Sequence, residues 1–539
     1  MNIKQQIELD LQSTFNKLKL DEALAVISVS GTEACDYQCN SAFRLGGLKA
    51  AEKIVQEFKS KVAVATVSPP AFINFTITDE ALENYGDVVL QNNKLILQNQ
   101  KPRTIFFDYG GANIAKELHV GHLRSPIVGE ALKRVFAALG HKTLSDVYLG
   151  DWGLQNGLIL AEMERQELSI EDMSLDLFNE IYPAASKRKN EDEHFKKRAD
   201  EITLAVQQKK SPWFDMWKKA REISVSKIRE NYDALHCTFD FYNGESDAQP
   251  YVDTVLDILK EKKLAYDDNN CLIIDVKTEN DTAPMPPVIL KKYNGGDLYA
   301  TNDIATLYYR NKNHSPDEFV YITDNRQSLH FEQVFRVVKM GGLVSPDVKL
   351  THIGFGTMNG ADGKPFKTRA GGTIKFDEVI KLVTDSAKSK DIGLASLKYA
   401  DLSNNVKKDY IFDLEKFTSF EGKTGPYILY TIARINSILS KIDFTDGKTK
   451  STKDTRAILT ALCKLADSYP TAATNYTLNG IADASWALAN AFNAFYGNVN
   501  ILKTTCPLMR ASHLQLCSLV KLALTQSMDT LAIPVVEKM

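Results

Sequence analysis

The apolar run Thr104-Ile-Phe-Phe-Asp108-Tyr109 stops at a carboxylate and meets Gly110-Gly111. It then leads into Asn113-Ile-Ala-Lys116-Glu-Leu-His119-Val-Gly121-His122-Leu-Arg124. That order predicts a strand ending at Asp108, a glycine turn, and a helix from about Leu118 to Leu139. Unpaired N–H groups at a helix start attract anions, so His119 and His122 would flank a phosphate site of the kind found at the corner of a nucleotide fold. The segment is neither a GxGxxG fingerprint nor a GxxxxGK[ST] loop. Two other readings stay open at this point. A zinc site would need further ligands and has the wrong spacing for HExxH, and the histidines could simply be packing groups. Gly121 favours nucleotide binding, because a position without Cβ lets a ligand approach the backbone where an ordinary helix would lose stability.

A chain of 539 residues, 44% of them hydrophobic, has material for several cores, and three domains are expected. The net charge of -3 excludes a uniformly basic binder but leaves room for a local basic patch. Seven scattered cysteines, with Cys35 and Cys39 lacking a second pair, fit a reducing compartment better than a disulfide framework or a zinc site. The N-terminal residues lead into a helix without an apolar targeting core, and no segment has the length and apolarity of a membrane span. A cytoplasmic protein without a membrane partner is the expectation.

Residues 1 to about 95 read as a small α/β unit. Ile7, Leu9, Leu11, Phe15 and Leu18 predict one helix face, and strands are expected at Val62–Val67 and Ala71–Ile77. Strand and helix then alternate, through Thr143–Leu149, Glu318–Asp324 and a helix from about Ser328 to Met340, in the manner of βαβ units. The charged stretch from 165 to 290 interrupts that alternation and reads as an insertion. Its clusters Lys187-Arg-Lys, Lys196-Lys-Arg and Lys209-Lys210 read first as solvated helix faces. From about 386 to 539 helical periodicity takes over, which predicts an appended helical bundle.

A second polar segment, Thr357-Met-Asn-Gly360-Ala-Asp362-Gly363-Lys364-Pro-Phe-Lys367-Thr-Arg369-Ala-Gly371-Gly372, joins positive charge to flexible backbone. It reads equally as a loop that closes on polyphosphate or as an ordinary surface loop. Together with Gly150-Asp151-Trp152-Gly153, Leu298-Tyr-Ala-Thr-Asn-Asp303, Tyr399-Ala-Asp-Leu-Ser403 and Asp409-Tyr-Ile-Phe-Asp413, these motifs run in order over nearly the whole chain. In that order they resemble the class I arginyl-tRNA synthetases.

The resemblance implies a Rossmann-like α/β catalytic domain at 96–385 carrying the insertion, an N-terminal tRNA-elbow domain at 1–95 and a helical anticodon-binding domain at 386–539. It implies ATP with Mg2+, L-arginine and tRNA(Arg) as reactants, a monomer, and no metal held by protein side chains. By matching positions it assigns catalysis to Lys116, His119, His122, Lys364 and Lys367. ATP would meet His119, Gly121, His122, Gly150 and Asp151. Arginine would meet Asp108, Asn113, Tyr299, Asp303 and Gln327, and tRNA would meet Tyr427, Tyr430 and Arg434. Carboxylates suit arginine because a guanidinium stays charged and offers five N–H donors in a fork. The chain departs from the family at Gly110-Gly111-Ala112, where serine and proline are usual, at Pro126 and at Asn156. It also has fewer basic residues between Asp36–Asn40 and Phe72–Phe75. Two alternatives remain on sequence alone: a ligase paralogue that needs no tRNA, and a noncatalytic RNA-binding paralogue.

Overall fold

The computed structural model describes residues 2–31, 34–97, 101–291, 299–360, 362–364, 374–442 and 447–538. Its centre is a four-stranded parallel sheet in the order Lys349–Phe355, Glu318–Asp324, Thr104–Asp108, Lys142–Asp146. Both faces are covered, as a sheet with crossover helices requires. Ile105, Phe107, Val320 and Ile322 point into one core, while Phe106, Phe319 and Tyr321 point into the other. From the strand at 104–108 the chain leaves toward 142–146 on one side, and its neighbour on the other side is 318–324. The strand order therefore reverses beside Asp108, and a crevice opens at the carboxyl ends of the strands. There Asp108 is in register with Asp146 on one flank and Tyr321 on the other.

The strand at 318–324 and the helix Ser328–Met340 coincide with the predicted spans. The helix expected from Leu118 does not. His119 is extended and caps a short 3-10 turn at Val120–His122, and the α-helix runs over Arg124–Ala138. Ring nitrogens of the two histidines take the backbone N–H groups that would have continued the helix backward. Pro126 falls in the first turn of this helix, where an N–H has no intrahelical partner, so its missing donor costs nothing there. The strand expected over Thr143–Leu149 ends at Asp146.

Before the sheet lies a four-stranded antiparallel sheet, in the order Ser28–Val29, Tyr37–Cys39, Phe72–Ile77, Ala63–Ser68, with the helices Ile3–Lys17, Leu48–Glu57 and Asp79–Asn92. Ile7, Leu11 and Phe15 are buried as expected, but Leu9 is 46% exposed and Leu18 lies just past the helix end. The charged stretch forms helices at Leu175–Glu191, Glu193–Gln207 and Trp213–Ala234, then Val252–Glu261 and a small antiparallel sheet. Its charges are not all solvated, since Arg188 pairs with the buried Glu162, while Arg198 pairs with Glu164 at the surface. Long helices at Gly425–Leu439, Arg456–Asn475, Asn479–Asn498 and Pro507–Thr530 build the C-terminal bundle. Among the described residues, no helix is long and apolar enough to cross a membrane.

Candidate active site

A cavity of ≈ 520 Å³ occupies the crevice at the strand ends. Asp108, Asn113, His119, Gly121, His122, Gly150, Tyr299, Asp303 and Gln327, all expected at the site, line it together. They come from five separate stretches of chain. Strand ends supply Asp108, the turn after 118 supplies the histidines, and Tyr299 and Asp303 share one face of the helix Tyr299–His314.

The histidines form a compact unit, with ring centroids 4.1 Å apart. Nδ1 of His122 accepts the backbone N–H of His119 at 3.1 Å, and Nδ1 of His119 accepts that of Gly121 at 3.1 Å. Burial lowers the pKa of His119, with Lys116 adding to the effect. Burial, His119 and Lys116 push His122 down to about 3. Both rings are therefore neutral at pH 7 with the proton on Nε2, and each offers an N–H donor to an anion. A side chain at 121 would begin 2.9 Å from Cε1 of His119. The ring itself occupies the space that Gly121 leaves, which ties this glycine to the histidine geometry.

Asn113 and Gly150 pair across a short parallel bridge. A Cβ at Gly150 would sit 2.1 Å from Oδ1 of Asn113, so only glycine lets that amide lie over the backbone. Nε2 of His330 lies 2.5 Å from Oδ2 of Asp303, and the His330 ring is 5.7 Å from that of Tyr299. Tyr299 is 58% exposed and is thus not a core residue. Asp108 is buried against Arg310, Nη1 to Oδ2 at 2.6 Å. Burial nonetheless raises its carboxyl to about 7 against the lowering effect of the Arg310 guanidinium, and the Asp146 and Asp303 charges add to the rise.

Three expected residues do not line the cavity. Asp151 is fully buried, its carboxylate taken by Arg221 at 2.8 Å and by the N–H and hydroxyl of Ser246 at 2.9 and 2.7 Å. It clips the Gly150–Gly153 segment to the helix at 213–234, and no oxygen is left for a nucleotide. Lys116 is exposed and close enough to act on the histidines, Lys364 is exposed, and neither is in the cavity wall. Lys367 lies outside the described residues. Trp152 packs edge-on against Trp217 at 5.0 Å, and Asn156 donates to the Asp151 carbonyl at 2.9 Å while its own carbonyl is buried without a partner.

Sequence reasoning missed Arg124, Ser125, Arg310 and His330. Ser125 accepts the N–H of Gly110 and donates to the Ile322 carbonyl, both at 2.7 Å, which fixes the loop where glycines replace the stiffer family sequence. Arg124 pairs with buried Asp401 at 3.0 Å and donates to the Gly356 carbonyl at 2.7 Å. It thereby joins the cleft wall to the helix Lys390–Leu402.

In the bundle, Tyr427, Tyr430 and Arg434 line a groove of ≈ 640 Å³ with Phe420 and Asn493. The Arg434 guanidinium lies over the rings of Tyr430 and Tyr496 at 4.8 and 5.0 Å and donates to Asn493 at 2.6 Å.

The family described as class I tRNA synthetases (R), catalytic domain, matches residues 85–414, and the DALR anticodon binding domain matches residues 428–539. An arginine–tRNA ligase of Alkaliphilus oremlandii is 36% identical, with 99% of each chain covered. One of Agathobacter rectalis is 35% identical, again with 99% of each covered. The solved arginyl-tRNA synthetase of Plasmodium falciparum superposes with a TM-score of 0.85 at 24% identity, covering 100% of this chain and 99% of that one. The Thermus thermophilus enzyme gives 0.83 at 20% identity, covering 99% and 100%. At those identities the structures speak for the fold, and the full-length sequence relatives speak for the lineage. A strand-end crevice with paired histidines, a helical bundle behind it and both family matches in order make this chain a member of the class I arginyl-tRNA synthetases.

Proposed function

We propose that this protein activates L-arginine with ATP and transfers the arginyl group to the terminal ribose of tRNA(Arg). In the first step a carboxylate oxygen of arginine bonds to the α-phosphorus of ATP and pyrophosphate leaves. In the second, a ribose hydroxyl attacks the arginyl carbonyl and AMP leaves. No protein nucleophile is needed, because the attacking carboxylate is already ionised. Alignment and charge stabilisation supply the rate.

The observation that carries this reading is the meeting of Asp108 and Asp303 with the neutral pair His119 and His122 in one cavity at the strand-order reversal. The carboxylates suit a guanidinium or ammonium and the Nε2–H donors suit phosphate oxygens. Asn113, Tyr299 and Gln327 complete the arginine subsite in this proposal, and Gly121 and Gly150, which make room for the His119 ring and the Asn113 amide, border the nucleotide. Lys116, Lys364 and Lys367 answer the charge of the departing pyrophosphate. Mg2+ enters with the ATP phosphates, whose oxygens and waters supply most of its ligands. Tyr427, Tyr430 and Arg434 take the anticodon by stacking and positive charge. A catalytic unit at 96–385 between an elbow-binding unit at 1–95 and an anticodon unit at 386–539, acting as a cytoplasmic monomer, belongs to the same proposal.

The deciding experiment is ATP–pyrophosphate exchange with purified protein, arginine present or absent, and tRNA present or absent. Arginine-dependent exchange with tRNA, followed by arginylated tRNA and AMP, is the expected result. Exchange that ignores arginine, or none when tRNA and arginine are supplied together, defeats the reading.

A further inference from the structure

Behind the cavity wall formed by Asp108, Tyr148 and Tyr321 lies an arginine of the chain's own. Arg310 is fully buried, and its guanidinium carbon lies 5.0 Å from the Phe106 ring and 5.2 Å from that of Tyr148. Nη1 donates to Asp108 at 2.6 Å and to the Tyr321 hydroxyl at 3.0 Å, while Nη2 donates to Asp146 at 3.0 Å. Asp146 is itself fixed from outside the sheet, accepting the backbone N–H of Asn243 at 3.0 Å and its amide at 3.2 Å. A continuous relay of fixed groups thus runs from Asn243 through Asp146 and Arg310 to Asp108, and its last member lines the cavity. Among the described residues, side chains engage only Oδ2 of Asp108.

We infer that Arg310 is a positioning residue for amino-acid recognition, holding Asp108 by one carboxylate oxygen so that the group stays ionised with its other oxygen aimed at the cationic substrate. The inference rests on the reading that Asp108 meets arginine. Two carboxylates face each other across adjacent strand ends, with Asp303 close by, and in a buried setting such a group tends to take up a proton. Among the described groups packed on Asp108, only the positive charge of Arg310 opposes that tendency. Asp303 comes from the same helix as Arg310, Asp146 from one flanking strand, and neutral Tyr321 and Tyr148 from the other strand and the loop after 146. With Arg310 in place the Asp108 carboxyl still lies at about 7. Arginine recognition should therefore strengthen as pH rises through that value, since the ionised form accumulates above it. Removal of Arg310 moves the midpoint upward. Removal of the Asp146 charge, which also raises the Asp108 value, moves it downward.

The test is arginine-dependent exchange by the full chain with tRNA, followed from about pH 6 to about pH 9 for wild type, Arg310→Gln, Arg310→Lys and Asp146→Asn. Arg310→Gln should raise the arginine KM at pH 7 by about tenfold or more, leave the ATP KM within about twofold, and move the midpoint of kcat/KM for arginine up. Arg310→Lys should recover part of the loss, because it keeps the charge without the fork. A folded Arg310→Gln with unchanged arginine KM and midpoint overturns the inference, as does an equal rise in the KM for ATP. Should Arg310→Gln not fold, the opposite shifts of Arg310→Lys (up) and Asp146→Asn (down) decide, and two unmoved midpoints overturn it. Wild-type exchange with arginine stands or falls separately and reports on the activity itself.

Discussion

Asp303→Asn is the sharpest perturbation of the proposed arginine subsite. The carboxylate is 8% exposed, and its one side-chain partner among the described residues is His330, 25% exposed at the side chain. Substitution keeps the shape and one carbonyl oxygen but removes the charge. A hydrogen bond to a charged group contributes roughly 1.5–3 kcal/mol, and breaking a fully buried ion pair costs roughly 3–5 kcal/mol. The subsite lies between these limits, since it is buried at the carboxylate but opens to solvent past exposed Tyr299. A loss of at least about 2 kcal/mol, or roughly 30-fold in arginine affinity, follows. Folding should barely change, because the fold loses only a contact to a half-buried histidine, and a Tm within about 2 °C of wild type is expected. Arginine titration by calorimetry, together with the arginine KM in exchange with tRNA, measures the effect. Affinity within about threefold of wild type would show that Asp303 does not bear the substrate charge.

Lys116→Ala should cut the exchange rate by about 10²-fold while leaving arginine affinity unchanged, since Lys116 is exposed beside the histidines and outside the cavity wall; an unaltered rate in folded protein refutes its role. Gly150→Ala places a methyl group 2.1 Å from Oδ1 of Asn113 and must displace that amide, so the arginine KM should rise by about tenfold with little change in Tm. Tyr430→Ala, which removes a 43%-exposed ring from beneath Arg434, should weaken tRNA binding by roughly 1–3 kcal/mol and leave the arginine KM in place, as filter binding and exchange together would report.

The elements legible in the sequence are those whose burial is continuous. Glu318–Asp324 and Ser328–Met340 match because an apolar strand buried on both faces and an apolar helix stripe each have a period that nothing local disturbs. The start of the helix after His119 was misplaced because imidazole nitrogens compete for backbone N–H groups, a side-chain effect that periodicity does not register. Asp151 carried a family position but not a cleft position, since its partner Arg221 sits in a stretch whose charges look solvated when counted along the chain. Arg310 was hidden in the same way, inside Tyr308-Tyr-Arg-Asn-Lys312, which reads as the polar end of a helix. The structure supplies the missing signal. Two adjacent parallel strands both end in aspartate, and in register at Asp108 and Asp146 those carboxylates require a cation between or beside them.

That requirement also explains how a site for a cation can contain a buried cation. Asp108 and Asp146 carry two negative charges against the single positive charge of Arg310, so the relay remains one positive charge short when both are ionised. Asp303 adds a further carboxylate, and Glu245, pushed by burial and by Asp151 and Asp303 to about 7, shows how unwelcome another anion is nearby. The floor of the cleft thus favours an incoming positive charge, whereas the rim, with two neutral Nε2–H donors and the start of the helix at Arg124, favours an anion. An amino acid with a cationic side chain and a carboxylate at the far end spans that gradient in one orientation only. Citrulline, which has nearly the same shape, leaves the floor unbalanced. Lysine supplies the charge as a point without the planar fork that can satisfy carboxylates from two different elements. Discrimination between arginine and these analogues therefore resides in the charge deficit at the strand ends, and the internal guanidinium sets its size by neutralising one carboxylate and no more.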